Sequence, residues 1–154
     1  MTTNVNRVDD TMPPIIGAAI RFITSAPDPW LHIIGNSPIK MADAVITFWA
    51  DHQPVLRVVD LATDEGDGRF ANVRTRLLND LNNSLAAAAR DHQKTGKGQA
   101  DVDPNAVAGV LVAMLAHVAA HRLGFEFWGV RTADLRTTMA RIIYWSVTGA
   151  KPPT

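Results

Sequence analysis

His117 and His121 stand four residues apart, the helical spacing that lets two imidazoles share one metal ion. Position 118 is valine, so the HExxH pattern of zinc proteases is absent, and no third ligand is evident. The pair is therefore read as lining a subunit seam or a pocket rim, and neither a metal nor a cofactor is expected. Residues 94–100, KTGKGQA, resemble a phosphate loop only superficially: Lys97 is followed by Gly98 where Ser or Thr is needed, and no strand precedes it. There is no G-x-S-x-G, no carboxylate pair on an apolar face, and no cysteine to serve as nucleophile, disulfide partner or thiolate ligand. The sequence does not read as an enzyme. What remains are side chains whose chemistry is burial, above all Phe48, Trp49, Phe70, Phe125, Phe127, Trp128, Tyr144 and Trp145. Asn79, Asn82 and Asn83 add either a solvated face or a polar handle.

These residues need elements to hold them, and the most informative is the stretch from Asp103 to Leu123. Asp103 suits an N-cap and Pro104 the first helical position, where a missing N–H costs nothing. No charge follows until Arg122. Winding the sequence at 100° per residue separates a bulky stripe (Val107, Leu111, Met114, Val118), a second stripe (Ala108, Val112, Leu115, Ala119) and a small stripe (Gly109, Ala113, Ala116, Ala120). A helix apolar all round needs partners on every side, so one face is assigned to the subunit's own core or a cavity and one to a second subunit. Its uninterrupted apolar run is well short of the roughly 20 residues that cross a bilayer.

The other elements follow from spacing and punctuation. Pro14 to Ser25 carries apolar residues at helical steps and closes at Pro27 and Pro29; Ser37-Pro38 starts a helix with Ile39, Ala42, Val45, Ile46 and Trp49 on one face, running to about His52. Pro54 predicts a break, with Val55 to Thr63 a separate or kinked piece. Beyond Gly66 and Gly68, the positions Phe70, Val73, Leu77, Leu81, Leu85 and Ala88 predict the longest helix, about 24 residues. Gly124 to Arg131 reads as an aromatic loop, and Thr132 as the cap of a last helix ending at Gly149. No segment alternates with period two, so the class is all-α with about six helices. At 154 residues and 47% hydrophobic content, one domain with a sizeable core is expected. Fifteen basic residues balance fifteen acidic ones, which gives no summed field for nucleic acid or anionic membrane. The residues before Ser37 lack a secretory signal pattern, and cytoplasm is the expected compartment.

From Phe48-Trp49-Ala50-Asp51-His52-Gln53-Pro54-Val55-Leu56-Arg57, through Asp64 to Phe70 and the long helix, to the ending Ile143-Tyr144-Trp145-Ser146-Val147-Thr148-Gly149, the chain resembles the C-terminal domain of TetR-family regulators. The helix order and the loop before Asp103-Pro104 look most like the subgroup that includes the ethionamide-activation repressor. The resemblance implies an effector-binding and dimerisation domain over residues 37–150, preceded at 1–36 by a leader, a short helix and a proline-rich connection. It implies a small hydrophobic effector held by Phe48, Trp49, Leu78, Leu81, Leu85, Val112, Leu115 and Ala119, and a homodimer sealed as a four-helix seam by the last two helices. The seam residues expected are Gly109, Ala113, Ala116, His117 and Ala120. Two departures matter. The residues before Ser37 hold only Arg7 and Arg21 as basic side chains, so the family's helix-turn-helix is expected to be missing and DNA binding by this chain alone is not expected. Val112 and Leu115 stand where the subgroup has a ligand-facing asparagine pair, so its hydrogen-bonding scheme does not carry over. The alternative reading is a stand-alone helical interaction protein that dimerises with itself or with a full-length regulator and has no ligand role.

Overall fold

The computed structural model of the chain describes residues 37–96 and 99–152. The short helix expected over Pro14 to Ser25 lies outside them. Five helices make up the described part: α1 (Pro38–Asp64), α2 (Gly68–Lys94), α3 (Pro104–Ala120), α4 (Arg122–Phe127) and α5 (Thr132–Thr148). The protein is all-helical, with no strand among the described residues.

Punctuation residues account for most boundaries. Pro38 begins α1, although the Ser37 hydroxyl makes no capping bond and only its carbonyl accepts, from Met41 N–H at 3.1 Å. Pro54 kinks α1 without ending it: His52 takes the non-helical angles (φ −118°, ψ 17°), and the helix resumes to Asp64. The proline removes one donor and crowds the preceding turn, and a single distorted residue absorbs both effects. Asp67 caps α2 by accepting Arg69 N–H at 3.0 Å, and Asp103 caps α3 by accepting Ala106 N–H at 2.8 Å. Gln93 ties down the α2–α3 connection by donating to the carbonyls of Gln99 and Val102 at 2.7 and 2.6 Å.

Three expectations need correction. α2 is not uniquely longest, since the kinked α1 matches its 27 residues. α4 runs from Arg122 into the expected aromatic loop as far as Phe127, and the chain turns back through Val130 N–H bonding to the Phe125 carbonyl at 3.0 Å. Thr132 does not cap α5: Arg131 holds the cap position, and the Thr132 hydroxyl bonds to Glu126 instead. α5 does stop at Gly149, whose φ of 69° is the left-handed conformation that glycine adopts at no steric cost.

The main core gathers Met41, Val45, Ile46 and Trp49 of α1, Leu81 and Leu85 of α2, Leu111 and Leu115 of α3, and Met139 and Ile143 of α5. A second, smaller cluster of Val59, Phe70 and Val73 closes the α1–α2 corner. α3 packs chiefly on α2, and α5 chiefly on α1. Within the chain α3 is not covered on every side. Ala108, Leu111, Val112, Leu115, Ala116 and Ala119 face inward, whereas Val110 remains 70% exposed.

Candidate functional site

All eight residues expected to wall a ligand pocket meet in the main core. Trp49, Leu81, Leu85, Val112, Leu115 and Ala119 are buried, and Phe48 and Leu78 pack against them from the margin. The Phe48 ring stands edge-on to Trp49, with centroids 5.6 Å apart, and also meets His52 at 4.7 Å. Trp49 is only 5% exposed, yet its indole Nε1–H has no hydrogen-bond partner among the described residues. Arg136 Nε is the other buried side-chain atom so described, but it lies 2.8 Å from Asp43 Oδ1 and lacks only hydrogen-bond alignment. Among the described residues, the Trp49 indole is thus the buried donor left without a nearby acceptor, at the edge of an apolar cluster.

At one edge of this core lies an open cleft of about 220 Å³ between the start of α1, the second half of α2 and the end of α5. Its apolar surface comes from Pro38, Met41, Leu85, Ala88, Ile143 and Val147; its polar groups are Ser37, Ser84, His92, Tyr144 and Thr148. Helical spacing explains the convergence, because Ser84, Leu85, Ala88 and His92 share one face of α2. Two of the polar groups are already engaged. His92 Nδ1 lies 3.2 Å from the Ala88 carbonyl. The Thr148 hydroxyl donates to the Tyr144 carbonyl at 2.7 Å and accepts from Ala150 N–H at 3.1 Å. Of the expected ligand residues only Leu85 lines this cleft. The Leu85 and Ala88 steps were visible in the sequence, but the meeting of three remote helix ends was not.

A second, polar pocket of about 220 Å³ is lined by Asp60 and Asp64 of α1, Arg74 of α2, Ala116, His117 and Ala120 of α3, and His121. Arg74 Nε pairs with Asp60 Oδ1 at 3.3 Å, and the two imidazoles sit with centroids 4.3 Å apart, tilted by 44°. Burial pushes the Asp60 carboxyl above its ordinary range, and the Arg74 guanidinium opposes that shift. Among the described residues no group of three or more histidine and carboxylate side chains converges as a metal ion requires.

The sequence matches the family described as Tetracyclin repressor-like, C-terminal domain, over residues 32–154, a span that includes all five helices. The chain belongs to this family. No curated protein and no solved structure matches it.

The outward surface of this TetR-like domain divides the residues expected at a dimer seam. Gly109, Ala113 and His117 face outward, Ala120 is half-buried, and Ala116 is in the core. Around the outward ones the chain also exposes Val110, Ile142 and Trp145, the last at 59%, and α4 and the turn after it expose Leu123, Phe127 and Trp128. No helix among the described residues is long and apolar enough to cross a membrane.

Proposed function

We propose that this chain is the effector-binding and dimerisation domain of a TetR-like transcriptional regulator, that it acts in the cytoplasm, and that its effector is a small, mostly hydrophobic molecule. Family membership supports the general role, since such domains typically dimerise and bind effectors. The observation that carries the ligand reading is the cleft between α1, α2 and α5: an apolar floor with polar groups around it, opening onto the core through Leu85. Its volume of about 220 Å³ exceeds the roughly 150 Å³ of an apolar cavity that accommodates benzene. Removing on the order of 200 Å² of apolar ligand surface from water contributes about 5 kcal/mol before the entropic cost of association is subtracted. The chain's balanced charge supplies no field for duplex DNA, so binding is reserved for the small molecule and a second subunit.

Native mass spectrometry of the protein purified from its own host, followed by melting curves with a panel of alkylphenols and fatty acids, tests this reading. A retained small molecule and a ligand-dependent rise in Tm are expected. No retained mass and no response to the panel would refute it. The exposed Val110, Ile142 and Trp145 favour the second reading, a self-associating interaction module without an effector, if the protein dimerises but ignores every ligand.

A further inference from the structure

We propose that His92 reads the polar end of the effector as a hydrogen-bond acceptor, so that the ligand is an amphiphile headed by a donor, such as a phenol, an alcohol or an N–H amide. This rests on the cleft being the effector site. The Ala88 carbonyl, 3.2 Å from His92 Nδ1, can only accept a hydrogen bond. Nδ1 must donate, and it therefore carries the ring proton. In the neutral ring with its proton on Nδ1, Nε2 keeps its lone pair and can only accept, and we infer that this nitrogen is the one His92 offers to the cleft it lines.

The remaining polar groups do not discriminate. The Ser84 and Tyr144 hydroxyls can donate or accept, and the Thr148 hydroxyl is already used in both directions. The Ser37 hydroxyl is equally ambivalent, so in the Nδ1–H tautomer His92 is the cleft group that can only accept, and a ligand without a donor leaves Nε2 unpaired. Such a mismatch at a half-buried group lowers affinity by about tenfold. The floor of Met41, Leu85, Ile143 and Val147 sets the body of the molecule, which at this volume is an aromatic ring with a short alkyl tail.

The test is isothermal titration of the full chain with 4-propylphenol and 4-propylanisole, which share a body and differ in whether the oxygen carries a proton. Wild type should bind the phenol about tenfold more tightly. His92→Phe should retain the anisole affinity and lose the preference, and His92→Gln, whose side-chain carbonyl again accepts, should restore part of it. Imidazole ¹⁵N spectra of wild type give a readout that requires no variant to fold: the Nδ1–H tautomer is expected in the free protein, with the Nε2 resonance moving when the phenol binds. Equal affinity for the two ligands, or an Nε2–H tautomer, overturns the role of His92 and leaves the cleft standing. Failure of both ligands to bind overturns the cleft as effector site and this inference with it.

Discussion

Replacing Trp49 by phenylalanine separates the two contributions that a buried indole makes. Trp49 is 5% exposed within the main core, so trimming it removes apolar volume of about 40 Å³ and, at roughly 24 cal/mol per Å³ of residual cavity, costs about 1 kcal/mol. The same change removes an N–H that is buried without an acceptor among the described residues, a state that costs about 1 to 3 kcal/mol. The two effects oppose each other, so Trp49→Phe should leave stability within about 1 kcal/mol of wild type or raise it. An ordinary large-to-small core change would instead destabilise. Urea denaturation at matched protein concentration, with the slope m compared between the two proteins, reads the difference directly. A loss of 2 kcal/mol or more at unchanged m, on the order of a fully satisfied indole, would show that the N–H has a partner in solution and would refute the argument.

Ala113 is exposed in the protomer, so Ala113→Glu should leave each subunit folded while placing an unpaired carboxylate in the proposed seam; a mutant that still sediments as a dimer at micromolar concentration would place the seam elsewhere. Leu115 is fully buried and does not line the cleft, so Leu115→Trp should overpack the core by about 1 to 3 kcal/mol, and an unchanged Tm would reveal unfilled space there. Asp60 has its carboxyl raised by burial, so the folded protein holds that proton more tightly than the unfolded chain does. Its contribution to stability should therefore fall as pH rises from 3.8 through the raised folded value, and Asp60→Asn should flatten that part of the pH–stability curve; an unchanged slope would assign it to other groups.

The fold was largely legible because its boundaries rest on local chemistry. Asp103-Pro104 marks the start of α3, Gly149 the end of α5, and the steps from Phe70 to Ala88 the inward face of α2. Legibility stopped where nonlocal partners decide. Thr132 looked like a cap, but its hydroxyl is taken by Glu126, and the stretch after Gly124 looked like a loop although α4 extends through Phe127. Periodicity gathered the eight expected pocket residues into one core, because burial is what it reports. It does not report where packing is left incomplete. The cleft depends on how the start of α1 meets the ends of α2 and α5, and no spacing within a single helix encodes that meeting. For the same reason Ala116 and Ala113, which share a small stripe in sequence, part company in the fold.

The kink at His52 also bears on how the chain folds and opens. Upstream of it, Met41, Val45, Ile46 and Trp49 are anchored in the main core; near its far end, Val59 closes on Phe70 and Val73 in the separate corner cluster. With no amide proton at Pro54, one rung of the helical ladder is missing at the joint, and cooperativity along α1 is weakest there. The corner joins residues close in sequence across a short turn, so its closure costs little chain entropy. It is thus suited to form early and to exchange its amide protons as a unit of its own, with Val59, Phe70 and Val73 reporting a different opening free energy from Val45 and Leu81.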